Sequence, residues 1–531
     1  MEKIYPIDIY GVKNIGIEKW LDSYYIPVNG KEYSDIYKNI FHGYITALKK
    51  YDNEVVYWLA VSNLKIPNYV SMYIAFLFRL LRLKEKGYKY IIGQREEEIP
   101  DDISTFDYTS LMVFNLIDTS VFKPEALEGI KNISRMIKHN FSFSGVINRA
   151  FFKNITDPSF IVGNKSQHEV AFYMKAKEIS PVYLPLTLFV KNRSGNYNSI
   201  PCYSDIDQFV CDFLSFVRQE YPVVQDSLFE TLGRSISECF RHSLLFFHEN
   251  VSAFKKLKHR TLYATSLGNR FHRIFCSAWR YSGGKVIGFV HGNNYCHGYT
   301  PNMLMDGLPI VNEYVANSIG NERLLKKVTE DFSFGLNMAT ITHTPENFYS
   351  SCFDNLQRTA PVKKIRKVML IGFPMGSSYI SPWLPEHYTL AQLNLELRVV
   401  KVLKAIGYYV IYKAHPDRYK EVEGVFEDYV DEVLKDRLED VYVNADCLFF
   451  GTPNSSTFGF ALLTNKPIVL VNITGRRWYK PVFELLKKRC SMVYADADDL
   501  GKIIFDDEAV VNAIETSLNN INYDVLYEFA F

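Results

Sequence analysis

The chain of 531 residues is short of net charge: 60 Lys plus Arg stand against 59 Asp plus Glu, leaving +1. That balance argues against a whole-chain polyanion binder, although a local basic groove remains open. The eight cysteines (202, 211, 239, 276, 296, 352, 447 and 490) include no CxxC pair and no CxxC…HxxxH spacing. Neither a structural zinc nor a disulfide framework is expected, and a reducing compartment suits them. Long apolar runs are missing too. Val70 to Leu83, the most membrane-like stretch, carries Arg79 and falls short of the roughly 20 apolar residues that a spanning helix needs. The N-terminus MEKIYPIDIYGVKNIGIEKW lacks a basic stretch followed by an apolar run and a small-residue cleavage site, so a cytoplasmic protein is expected. No GxxxxGK[ST] occurs, and no strand-like run leads into GxGxxG with an acidic residue about 20 positions on, which disfavours a P-loop enzyme or a dehydrogenase.

An ordinary globular composition over a length of several domains is what is present, and its pattern is alternation of β-rich and helical stretches, expected to form parallel sheets covered by helices. In the first half, EVVYWLAV (54–61) reads as a strand, 68–86 as a helix closed by Gly87, and YKYII (88–92) as a strand. Two helices (204–219 and 223–250) follow, then the strand TLYAT (261–265), SLGN, a helix through Arg280, the strand KVIGFV (285–290) ending in HGNN, and EYVAN (313–317) after a loop with MDGLP. A polar stretch, 321–365, reads as a connector. The second half repeats strand, polar cluster and helix: VMLI into GFPMGSS (372–378), YYVIY into KAHPDR (413–418), CLFF into GTPNSST (451–457), and PIVLV before GRRWYKP (475–481). Stretches 498–505 and 508–518 read as terminal helices.

The clusters after these strands carry the chemistry. Gly451, Asn454, Ser455, Ser456 and Thr457 between a strand and a helix offer amides and hydroxyls to phosphate, although Ser455 or Ser456 serves equally well as an ordinary N-cap. Lys413, His415, Pro416 and Arg418 follow the preceding strand, where an imidazole can donate to phosphate or ribose and the proline fixes the backbone that aims it; a solvated loop histidine is the bland alternative. Strand ends one βα step apart would line one crevice.

KAHPDR followed by NSST, in a module that ends on KPIVLV, resembles the HP and S motifs of bacterial GT-B glycosyltransferases that use CMP-activated acidic sugars, such as polysialyltransferase-like enzymes and Kdo transferases of capsule and lipopolysaccharide synthesis. The CDP-glycerol polymerases of teichoic acid synthesis carry a similar arrangement. The stretch from TLYAT to HGNN resembles the acceptor domain of such enzymes. The resemblance covers about 261–317 and 366–475. It implies two Rossmann-like α/β domains facing a cleft: an acceptor-side domain over 1–320, the connector 321–365, a nucleotide-sugar-binding domain over 366–505 and a helical tail over 506–531. It also implies transfer of Kdo or a related acidic sugar from a CMP donor to a growing surface glycan. His415 and Pro416 would be the HP motif and Ser455, Ser456 and Thr457 the serine motif, with Gly372, Gly376 and Ser377 near the donor.

On the acceptor side His291, with Gly292 and Asn293, is the first candidate. Asp306, Glu313 and Glu238 are candidate carboxylates, each as readily a structural or solvated one. The acidic D/E-D/E-G motif of the sialyltransferases has only MDGLP as its counterpart. Arg476 and Arg477 could meet an anionic sugar or phosphate. Two DxD patterns, Asp205/Asp207 and Asp496/Asp498, look like helix starts rather than metal ligands, so no metal and no cofactor beyond the nucleotide sugar is expected. Expected partners are the donor and a glycan or lipid-linked acceptor, with peripheral contact at the inner membrane face and no nucleic acid. A CDP-glycerol-type phosphotransferase, a UDP- or GDP-sugar transferase, and a non-catalytic glycan-binding or scaffold protein are the rival readings.

Overall fold

The computed structural model describes residues 3–93, 96–100, 159–163, 168–184, 186, 202–223, 226–254, 260–265, 267–290, 307–344, 348–357, 361–373, 389–416, 419–453, 455–499 and 501–531. They form a mixed α/β protein with three sheets. The smallest joins β1 (Lys3–Pro6), β2 (Tyr88–Ile92) and β3 (Glu96–Glu98). The second contains β4 (Phe160–Val162), β5 (Val182–Tyr183), β6 (Thr261–Ala264), β7 (Lys285–Phe289), β8 (Glu313–Ala316) and β9 (Thr340–His343) in the order β5-β4-β6-β7-β8-β9, all parallel. The third contains β10 (Lys367–Ile371), β11 (Tyr409–Lys413), β12 (Glu432–Leu434), β13 (Cys447–Phe450), β14 (Ile468–Ile473), β15 (Ser491–Ala497) and β16 (Ile503–Phe505) in the order β12-β11-β10-β13-β14-β15-β16. Only β16 runs antiparallel to its neighbour there. Parallel strands covered on both faces need near-continuous apolar runs, and β10 and β13 are buried over VMLI and CLFF.

EVVYWLAVS is a helix, Glu54–Ser62, and not the strand expected from its composition. A short apolar run suits a buried helix as well as a strand. Here Asn53 decides: its side chain caps the helix by accepting from Val55 N at 2.9 Å, and Glu54 accepts from the Trp58 indole one turn on, at 3.1 Å. This helix packs on Arg270–Tyr281, with Ser62 Oγ 2.8 Å from Ser277 Oγ. The helix Ile66–Glu85 is buried along most of its length, and no helix of the described residues is long and apolar enough to cross a membrane. It belongs to a helical layer with Gly30–Leu48, Tyr203–Glu220 and Asp226–Phe254, where Tyr44 meets Phe209 and Phe213 edge-on at 5.3 and 5.1 Å.

The stretch read as a connector contributes the helix Ile319–Phe332, the edge strand β9 and the helix Phe348–Leu356. The expected helix at 498–505 is instead a turn and β16. The chain termini also depart from chain order. Ile9, Val12, Trp20 and Tyr24 share an apolar core with Val368, Leu370, Val399 and Val410 of the third-sheet unit, and Lys401 pairs with Glu18 at 3.0 Å. At the other end, Ser318 Oγ donates to Phe529 O at 2.6 Å, so the last helix (Asp524–Phe529) docks on the start of the helix that follows β8. A Cβ on Gly320, the second residue of that helix, would lie 2.1 Å from Glu528 O, so the close docking requires a glycine there.

Candidate functional site

In the third sheet the chain steps from β10 to β11 to β12, then returns to the other flank of β10 and runs through β13, β14 and β15. In such a sheet ligands bind outside the carboxyl ends of the strands, where the winding reverses. The ends of β10, β11 and β13 are level, since Ile371 pairs with both Lys413 and Phe450, while β14 continues past Leu470, the partner of Phe450, to Ile473.

Two glycines let this edge pack closely onto the side chains beneath it. Gly372 follows β10, and a Cβ there would lie 2.3 Å from Tyr412 Oη; Gly451 follows β13, and a Cβ there would lie 2.7 Å from Gln392 Nε2. Beneath them is a buried polar network. Glu396, fully buried on the helix Thr389–Ile406, accepts from Phe373 N (2.9 Å), Gln392 Nε2 (3.0 Å) and Tyr412 Oη (2.8 Å). Burial raises its carboxyl pKa to about 7, against the opposing pull of those three donors. Gln392 Oε1 is buried with no donor among the described residues.

The cations lie on either side. Lys413 is buried at the end of β11, its ammonium donates to Ala414 O at 2.6 Å, and burial pushes its pKa down to about 8. His415 is half-buried just beyond it and Pro416 is exposed. From the loop after β14, Arg476 Nη2 donates to Thr452 Oγ1 at 3.0 Å, and its guanidinium lies 5.3 Å from the Trp478 ring centre. Burial lowers the pKa of this guanidinium to about 9, which leaves it charged at neutral pH. Arg476 thus sits with the loop after β13, while Arg477 is exposed.

Ser455 has the bland role as well: it is the N-cap of the helix Ser456–Leu463, its Oγ accepting from Phe458 N at 3.2 Å. Ser456 is exposed and Thr457 half-buried, and their N–H groups are the first of the helix, which have no intrahelical acceptor. The loops after β11 and β13 are not neighbours, because β10 lies between them; two strand spacings separate them by about 10 Å. A single phosphate cannot touch both, whereas a nucleotide can.

Glu313 and Glu238 do not join this edge. Glu313 opens β8, at the amino end of a parallel sheet, where it pairs with Lys285 at 2.8 Å and accepts from Thr342 Oγ1 at 3.0 Å. Glu238 is exposed on the helix Asp226–Phe254. Of the DxD pairs, Asp205 lies in the first turn of the helix Tyr203–Glu220, as expected, and accepts from Asn53 Nδ2 at 2.7 Å, while Asp207 in the next turn pairs with Arg241 at 3.4 Å. Asp496 and Asp498 instead lie at the end of β15 and in the turn after it, with Asp498 Oδ1 accepting from Lys502 N at 2.8 Å. His291, Gly292, Asn293, Asp306, Gly376, Ser377, Arg418 and Asn454 lie outside the described residues.

Gln392, Glu396, Tyr412 and Thr452 were not among the expected site residues. A signal for the first two was present: LAQLNLELRVV has leucines or valines around the whole helix, so polar residues between them are buried with it. No protein-family model matches the chain, and no curated protein matches it either.

Proposed function

We propose that this protein is a nucleotide-sugar glycosyltransferase that binds the nucleotide of its donor along the carboxyl edge of β11, β10 and β13. The observation that carries the reading is the level register of those strands, with Lys413 and His415 on one side of Gly372 and the loop after β13 with Arg476 on the other. In transfer, an acceptor hydroxyl oxygen bonds to the anomeric carbon, the bond from that carbon to the nucleotide phosphate oxygen breaks, and a base takes the hydroxyl proton. The phosphate gains negative charge as it leaves. Fixed donors stabilise that charge most in the transition state: the amides at the start of the helix Ser456–Leu463, the Arg476 guanidinium and the His415 imidazole. His291 and Asp306 are the candidates for the base. No metal is required in this scheme, because the edge supplies its own cations. The donor best suited to the HP and S motifs is a CMP-linked acidic sugar such as Kdo, passed to a surface glycan at the cytoplasmic side of the membrane.

Calorimetric titration of CMP, CDP, UDP and GDP into wild type and His415→Ala tests this. The expected result is preferential CMP binding that weakens about tenfold in the variant, close to 1.4 kcal/mol. Preference for CDP would favour glycerol-phosphate transfer, and preference for UDP or GDP another sugar donor. A folded protein that binds none of the four would overturn the reading and leave a non-catalytic glycan-binding role.

A further inference from the structure

The second sheet has a winding reversal of its own. β4 is followed by β5 on one flank, after which the chain returns to the other flank and runs from β6 to β9. The ends of β4 and β6 approach closely: a Cβ on Gly163, whose φ is +95°, would lie 2.3 Å from Thr265 Oγ1. Just past β6 is a cavity of about 190 Å³ whose lining includes Lys65, Tyr69, Cys239, Asn269, Arg270 and Arg273 and contains no Asp or Glu. We infer that this cavity is an anion subsite for the phosphate or carboxylate group of a saccharide acceptor. The anion site stands on the cavity alone, whereas the saccharide carrier rests on the transferase reading above.

The three cations are held in different ways. Arg273 is buried and fixed, donating from Nε to Ser62 O at 2.7 Å and from Nη1 to Leu267 O and Gly268 O at 3.2 and 3.3 Å. Lys65 is half-buried, and its Nζ lies 3.8 Å from where a Cβ on Gly268 would be, beside the loop backbone. Arg270 is half-buried and donates from Nη1 to Cys239 Sγ at 2.5 Å, while its Nε and Nη2 are buried with no acceptor among the described residues. Buried donors of a charged group are costly to leave unmet. One anion in the cavity would satisfy them.

The neighbouring helix does not supply this site. Asn269 caps Arg270–Tyr281 with its own side chain, accepting from Phe271 N at 2.8 Å and His272 N at 3.4 Å, so side chains and not helix amides would hold the anion. Size sets the ligand class. Sites for drug-sized molecules span about 300–1,000 Å³, so this cavity takes one charged group of a larger molecule and not a whole nucleotide.

The test is a 31P NMR titration of inorganic phosphate, in low-chloride buffer with saturating CMP, into wild type, Arg270→Gln, Lys65→Gln and Arg476→Gln. Phosphate affinity should fall at least tenfold in each of the first two and stay unchanged in the third, with melting temperatures and CMP affinity unaltered in Arg270→Gln and Lys65→Gln. Unchanged phosphate affinity in those two variants, or a loss confined to Arg476→Gln, would overturn the subsite. Competition with phosphate by glucose 6-phosphate or by glucuronate would identify the group carried, and competition by neither would contradict a saccharide carrier. Should wild type bind no CMP yet bind phosphate through Arg270, the subsite stands and the transferase reading falls.

Discussion

The second and third sheets are wound alike, each reversing beside its first strand, but they furnish the reversal differently. In the third sheet an edge runs across three strands with two close-packed glycines on it, cations flank it, and a buried carboxyl group lies beneath. In the second sheet the corresponding place is a compact cavity walled by helices, with three cations and no carboxylate in its lining. Similar topology therefore yields one edge long enough for a nucleotide and one pocket sized for a single anion. Topology selects where a ligand binds, and the side chains after each strand select which one.

Two buried arginines sharpen that contrast most strongly. Arg489 donates to the carbonyls of Ala461, Leu462, Thr464 and Lys466 and is not part of the cavity lining, whereas Arg273 uses carbonyls in the same way at the wall of the cavity. Arg489→Met is expected to lower the unfolding free energy by at least about 3 kcal/mol, since it strands buried acceptors. Urea denaturation measures this, and nucleotide and phosphate affinities should persist in the folded fraction. Arg273→Met should lose stability and phosphate binding together.

Glu396 gives the next effect. Its folded pKa of about 7 exceeds its ordinary value of 4.5, so the folded chain keeps a proton that the unfolded chain releases between those values. Its contribution to stability is therefore full below about pH 4.5, falls as pH rises to about 7, and totals of order 3 kcal/mol. Glu396→Gln, which keeps hydrogen-bonding partners for Phe373, Gln392 and Tyr412, should flatten that part of the pH–stability curve. A slope identical to that of wild type would mean that Glu396 is already ionised in the folded state.

Smaller still is the cost of crowding Gly372. Gly372→Ala pushes a methyl group against the buried, hydrogen-bonded Tyr412 hydroxyl and should cost about 1–3 kcal/mol, with loss of CMP binding. The smallest effect is a proton. With its pKa near 8, Lys413 is about half neutral at pH 8, and a nucleotide phosphate beside it should draw in up to about half a proton. Calorimetry in buffers of different ionisation enthalpy reads that uptake, and Lys413→Met should abolish it.

Much of the third sheet is legible in the sequence because parallel strands buried on both faces are continuous apolar runs followed by polar clusters, as VMLI before Gly372 and CLFF before Gly451 show. SMVYADA, in which buried residues alternate with the exposed Tyr494 and Asp496, carries no such run, so β15 has no comparable signal in the sequence. The misreading of EVVYWLAVS has the opposite cause: its apolar side chains suit either state, and the Asn53 cap was the deciding local signal. His415 and Ser455 are legible as site candidates from their place after strands, whereas the intervening β10 is a property of strand order alone. The position of Glu313 at the amino end of β8 is likewise a property of the sheet and not of the local sequence. Arg270 and Lys65 are far apart in the chain, and nothing local to either announces their common cavity.

Hydrogen exchange with and without saturating CMP tests the central claim most directly. If one nucleotide spans the edge, peptides covering 409–416 and 451–463 gain protection together, while 267–281 at the other cavity is unchanged. Protection of neither segment, or of only one of them, would contradict a nucleotide lying across β10.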